Sequence, residues 1–467
     1  MKNKILLIIL LALYSLNLAS SPKDIENLSL SDPETLGLDR AIGYELDSIV
    51  KEYIDDKKIQ GAVLAVSRDQ NLVYFSAHGL ADVTDKIPMR RDSMFQMWSS
   101  GKAILGIAAM IAVDKGLFDP SDEVSQYIPN FKKVKVAVLA EPKDRDISPL
   151  YVYGGGETEP GFFSKLYSRL ISWWYEGVYL GSIPDHRLVP KKTPLTIHHL
   201  LTHTAGVATG GLGQALAPWN AKLSSGKEKN VSEEQKNFIE NITIKSFTDM
   251  LAEGPLDFQP GSRWQYSGFG GLDVVARIIE ITSGQPFNEF VQTNIFDPLQ
   301  MTDTHWIVPK EKLERIVKIS GGSKDGSEYP AFETKFFSGS VGLVSTTKDY
   351  LNLHHMLANG GIFNEIRILS EKSLKLMSSN QTGNLYSKTE KGEGLGMGFG
   401  YAVDITLDSD NTIFKRGTGS FGTGGAAGTM SWSDPINKMA VVIMVQQPTA
   451  DFANEIADII FRSLKKN

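Results

Sequence analysis

The chain has no cysteine in 467 residues, which removes disulfides, thiol nucleophiles and cysteine-held metals from consideration and leaves stability to the core. It also has no dense block of Lys and Arg. Its 48 basic and 54 acidic residues give a formal charge of −6, so no basic stripe can follow a phosphate backbone and nucleic acid is not an expected partner. No segment repeats along the sequence, which sets solenoids and propellers aside.

What is there is an ordinary globular composition, 42% apolar, enough for one large domain or two of average size. Lys2 and Lys4 precede an apolar run over Ile5–Leu18 and the small residues Ala19, Ser20 and Ser21. This pattern predicts a secretory signal peptide over residues 1–20. Whether it is cleaved or kept as an anchor, the expected location is exported, periplasmic or secreted.

An amphipathic pattern from Leu38 to Tyr53 then predicts a helix, followed by strand-like runs Gly61–Gln70 and Leu72–Leu80 with a turn at Asp69-Gln70. The far end supplies strand patterns at Ala426–Pro435 and Met439–Gln447 and a helix over Asp451–Leu464. Strands from both ends are therefore expected in one antiparallel sheet. The middle reads as mostly helical, with irregular stretches at 132–192 and 207–236. Within 161–180, Phe162, Phe163, Leu166, Tyr167, Leu170, Trp173 and Trp174 fall close to helical spacing. That segment is expected as a helix packed on the body, the alternative being an aromatic cap over an acyl or lipid-like substrate with peripheral membrane contact.

Ser-x-x-Lys is the pattern of a lysine-activated serine, because residues three apart on a helix face the same way. It occurs at Ser20, Ser48, Ser99, Ser224, Ser345 and Ser463, so context must choose. From Ser93 to Val113 the only charged residue is Lys102. A helix apolar on every side is buried, and this one is too short to span a bilayer. A lysine in its first turn is costly unless paired or partly deprotonated, and burial lowers its pKa toward the range where it takes a proton from serine. By contrast, Ser345 reads as the N-cap of a helix with acidic Asp349 in its first turn, Ser48 lies on an exposed helix face, and Ser224 sits in a polar loop. Ser99 and Lys102 are the candidate nucleophile and base.

Tyr266 stands at a turn before a helix pattern ending at Gly284, where its phenol could shuttle a proton or simply pack its ring. The glycine cluster Gly422–Thr429 leads into a strand, where glycines either let substrate lie against the edge beside a backbone N–H or make a tight bend. His199 and His203, four apart, could face each other around zinc, but no third ligand accompanies them, and no metal site is expected.

In this order the segments resemble the serine β-lactamase and penicillin-recognising superfamily, specifically its class C β-lactamase-like branch with DD-peptidases and β-lactamase-type carboxylesterases. The resemblance is carried by Phe95–Ala103, Gly116–Asn130, Pro194–Val207, Gly284–His305, Gly339–Leu351 and Gly424–Ile436. It implies an α+β fold over about 36–465, with sheet parts near 36–95 and 395–465, a helical subdomain near 96–340, and the active site between them. It implies that Ser99 is acylated, that Lys102 is its base, that Tyr266 is the tyrosine of a Tyr-x-Asn element, and that the N–H groups of Ser99 and Gly425 form the oxyanion hole. No cofactor is required.

Two departures bear on substrate. Gly268 replaces the asparagine of Tyr-x-Asn, and Gly422-Thr423-Gly424 stands where the family carries Lys-Thr-Gly or His-x-Gly, so the cation for a substrate carboxylate is missing. A small uncharged ester is the expected substrate. The rivals are a β-lactamase or D-Ala-D-Ala peptidase, a catalytically lapsed binding or scaffold protein, and a surface protein docking on lipid through Trp173 and Trp174.

Overall fold

The computed structural model describes residues 29–140, 185–219, 241–318, 334–387, 396–412, 414–447 and 450–465. The expected signal over 1–20, the aromatic segment 161–180, Ser20 and Ser224 lie outside them.

Among the described residues, eight strands form the main sheet: β1 (Gly61–Arg68), β2 (Asn71–Asp82), β3 (Ile87–Pro88), β4 (Met397–Phe399), β5 (Asp404–Thr406), β6 (Phe421–Gly424), β7 (Met430–Asp434) and β8 (Met439–Met444). Their order is β4-β5-β6-β7-β8-β1-β2-β3, with every pairing antiparallel. The two chain ends meet at its centre, where Val63 pairs with Met444 and Arg68 with Met439. Successive side chains of a strand point to opposite faces. Ala62, Leu64, Val66, Val441 and Ile443 accordingly pack with the terminal helices α1 (Ile42–Asp55) and α5 (Ala450–Ser463), while Val63, Ala65, Ala440, Val442 and Met444 join the larger core on the other side. Coverage on both faces explains why these two strands read as unbroken apolar runs.

The larger core surrounds α2 (Lys102–Asp114), buried from Lys102 through Ala112, and includes α3 (Gly271–Ser283) and α4 (Thr347–Ala358). Helix α4 packs on the inner face of the sheet. The stretch expected to be irregular at 132–192 contains a two-stranded ribbon, Val136–Leu139 with His186–Val189.

Three local expectations are corrected. The cap of α4 is Thr346, whose side chain accepts from the Asp349 N–H, while Ser345 is the middle residue of the short strand Val344–Thr346 and bonds Thr304 Oγ1 at 2.7 Å. The strand expected from Ala426 starts at Met430, because Gly428 N–H donates to the Gly425 carbonyl at 2.9 Å and closes a turn. Gly422-Thr423-Gly424 is itself strand, the end of β6.

Close approach of β1 and β2 fixes one glycine: at Gly79 φ is +74° and an added Cβ would strike the Gln60 carbonyl and the Gly61 backbone. Gly79→Ala should therefore lower the unfolding free energy by about 3 kcal/mol, read from urea denaturation.

Candidate active site

Ser99 lies on a 3-10 turn, Trp98–Gly101, that leads into α2, instead of within the α-helix itself. In a 3-10 turn residues i and i+3 eclipse, so Ser99 and Lys102 stand directly over one another. The turn is pinned to the β6–β7 hairpin: Thr423 Oγ1 donates to the Ser100 carbonyl at 3.2 Å, and Ser100 Oγ lies 2.9 Å from Thr429 Oγ1.

Lys102 Nζ is 3.2 Å from Ser99 Oγ, 2.7 Å from the Gly268 carbonyl and 3.0 Å from the Ser340 carbonyl. Tyr266 in turn donates its phenol O–H to Ser99 Oγ at 2.6 Å. Burial lowers the Lys102 amine to about 8, against the opposing pull of the Asp273 carboxylate. Burial likewise raises Tyr266, with its bond to Ser99 opposing. A neutral amine has two N–H donors and one lone pair. As an ammonium, Lys102 donates to all three partners, the Gly268 and Ser340 carbonyls and Ser99 Oγ; on losing its proton it can keep both carbonyls and offer its lone pair to the Ser99 hydroxyl.

Two residues that sequence reasoning missed hold this arrangement. Asp273, fully buried in the first turn of α3, accepts from Gly270 N–H at 2.8 Å, Ser338 Oγ at 2.6 Å, Gly339 N–H at 2.9 Å and Ser340 Oγ at 2.9 Å. It ties together the two segments that present the lysine's carbonyl partners. The only sequence signal was a carboxylate three residues into an apolar helix. His203, considered for zinc, clamps Tyr266: its carbonyl accepts from Gln265 N–H at 3.0 Å, its Nδ1 accepts from Ser267 N–H at 3.2 Å, and its ring centroid is 4.8 Å from that of Tyr266. Burial and the nearby Lys102 depress it to about 3, so the ring stays neutral with Nδ1 as acceptor. His199 Nδ1 is engaged with Thr196 at the start of its own helix. Among the described residues no three His, Asp or Glu side chains could hold a metal.

The glycines divide. Gly425 has no room for a Cβ, which would strike the Met97 carbonyl and Thr429 Oγ1, so glycine is what lets the hairpin close on the chain before Ser99. Its N–H, expected in the oxyanion hole, donates to the Thr429 carbonyl at 2.7 Å. Gly422 has no room either, because a Cβ there would overlap the Ser431 carbonyl, so position 422 cannot supply the missing cation. At Gly424 a Cβ would meet the flexible end of Met430 at 3.2 Å and the Thr429 carbonyl at 3.6 Å. At Gly268, in contrast, a Cβ would meet nothing closer than the Tyr266 ring at 3.9 Å.

A lysine whose folded pKa is depressed costs stability below that pKa, and the cost disappears as pH rises toward 10.5, where the unfolded chain also loses the proton. The stability gap between Lys102→Met and wild type should therefore shift by on the order of 3 kcal/mol in favour of wild type between pH 7 and pH 10.5, measured by urea denaturation at both pH values. For the clamp, His203→Asn keeps an acceptor and tolerates the φ of +55° found there, whereas His203→Leu does neither. The Leu variant should lose about 2–3 kcal/mol and the Asn variant distinctly less, compared by thermal melts.

Comparison with known proteins agrees with this geometry. The family model described as Beta-lactamase matches residues 46–463. Esterase EstB of Burkholderia gladioli is 26% identical over 426 residues, covering 86% of this chain and 87% of that protein. An Escherichia coli K12 protein named for a conjectured D-alanyl-D-alanine carboxypeptidase activity is 23% identical over 465 residues, covering 95% and 91%. The solved structure of EstCE1, described as a hydrolase with promiscuous acyltransferase activity, superposes with a TM-score of 0.65 at 20% identity, covering 90% of this chain and 99% of that one. With the match spanning nearly the whole described body and the fold agreeing, the chain belongs to the Beta-lactamase family of serine hydrolases.

Proposed function

We propose that this chain is a carboxylesterase-type hydrolase that cleaves uncharged esters through an acyl-enzyme on Ser99. The observation that carries the reading is the position of Ser99 Oγ, 3.2 Å from Lys102 Nζ and 2.6 Å from the Tyr266 hydroxyl. Ser99 Oγ attacks the ester carbonyl, its proton passes to Lys102, and the carbonyl π pair moves onto oxygen. Collapse expels the alkoxide, which takes a proton from Tyr266, and Tyr266 is restored at the expense of the proton held by Lys102. Water then repeats the sequence on the acyl-enzyme, releasing the acid and regenerating Ser99.

The developing oxyanion needs two donors. Ser99 N–H supplies one. The Gly425 N–H donates to the Thr429 carbonyl at 2.7 Å, a bond it would have to give up or share to serve as the second donor. The preference for an uncharged ester is supported by Gly422, where no lysine fits, by Gly268, which lacks an amide side chain, and by the esterase relatives. Export, if the N-terminal pattern acts as a signal, places this chemistry outside the cytoplasm.

Hydrolysis of p-nitrophenyl butyrate and nitrocefin assayed side by side should give rapid ester cleavage with little nitrocefin turnover. The reverse result would replace the esterase by a β-lactamase. Ser99→Ala should lose both turnover and labelling by a fluorophosphonate probe, and Tyr266→Phe should lower kcat by about 10²–10⁴-fold. A wild-type protein that neither turns over esters nor takes the probe would be a binding protein on an enzyme fold.

A further inference from the structure

The residue before the nucleophile is conformationally expensive. Trp98 sits at φ +47°, a left-handed backbone that a bulky side chain adopts only under constraint. Burial does not explain the choice of tryptophan, since 39% of the residue remains exposed. A strained, part-exposed residue immediately before Ser99 points to a functional constraint.

Two further part-exposed aromatic residues belong to the segment that contacts the same atoms. Tyr266, 38% exposed, is hydrogen-bonded to Ser99, and Phe269, 42% exposed, follows Gly268, whose carbonyl holds Lys102. The partners of Ser99 Oγ and Lys102 Nζ, namely Tyr266, Gly268 and Ser340, carry no formal charge at neutral pH. The site therefore combines a hydroxyl with neutral polar partners and, next to them along the chain, three part-exposed aromatic residues.

We propose that Trp98, with Phe269 and the ring of Tyr266, walls the substrate subsite and selects esters whose acyl group is aromatic or an extended hydrocarbon over short-chain esters. This rests on the hydrolase reading above and names its substrate class. An indole face buries a flat or extended apolar group with large area and little loss of rotamer freedom, so selectivity grows with the apolar surface of the acyl group. The strain at Trp98 is retained because a relaxed small residue would leave that surface in water.

The test is the ratio of kcat/KM for p-nitrophenyl phenylacetate, and for p-nitrophenyl hexanoate, to that for p-nitrophenyl acetate, in wild type, Trp98→Gly and Trp98→Phe, together with thermal melts. In Trp98→Gly both ratios should fall tenfold or more, and the melting temperature should be no lower than wild type because glycine relaxes at this φ. Trp98→Phe, which keeps an aromatic face, should retain most of the preference. Ratios within twofold of wild type in the glycine variant would overturn the proposal, as would a lower melting temperature with unchanged ratios, which makes the ring structural. A wild type that cleaves none of the three esters and takes no fluorophosphonate overturns the hydrolase reading itself, and this proposal with it.

Discussion

The site depends on keeping one amine dry. Lys102 is the only charged residue between Ser93 and Val113 and is buried in the packing of α2. Removing an ammonium from water is costly unless its donors are met. The surroundings meet two of them with main-chain carbonyls, Gly268 and Ser340, that carry no formal charge and so do little to pin the proton. A carboxylate in either place would hold the amine charged, whereas carbonyls orient it and let it lose its proton.

The rest of the helical body can be understood as the frame for those two carbonyls. They come from segments more than seventy residues apart, the loop before α3 and the loop before α4. Asp273 bonds both loops at once, and its negative charge is close enough to Lys102 to moderate the effect of burial. His203 does for Tyr266 what Asp273 does for the lysine, gripping the chain on either side of the phenol. Lys102 and Tyr266 are thus each held in place by contacts to a buried polar group.

How much of this could be read from the sequence follows from where each signal resides. The central strands were legible because covering both faces makes their apolar runs continuous, as in Gly61–Val66 and Met439–Met444. Strands β4 and β5, three residues each, are too short to show a period and were missed. Ser99 and Lys102 stood out because a single charge interrupts an apolar stretch, and Tyr266 through a resemblance. Asp273, Ser340 and His203 were not legible, since their roles consist of contacts between remote segments. Gly425 stood out for a sound reason, and its N–H donates to the Thr429 carbonyl. Glycine is needed there for close approach to Met97, but the direction of its N–H is set by pairing with Thr429, a register that composition does not disclose.

The pairing of β1 with β8 joins residues 63 and 444 at the middle of the sheet. Until the last strand has left the ribosome, the first hairpin has no neighbour on that edge and the α2 core has no sheet to close against. Native pairings of such long sequence separation are slow to form because their loop-closure entropy is met before any contact is gained. The sheet of this protein can therefore be completed only when nearly the whole chain has been made, and a product truncated ahead of residue 439 would be left without the strand that joins the N-terminal hairpin to the rest of the sheet.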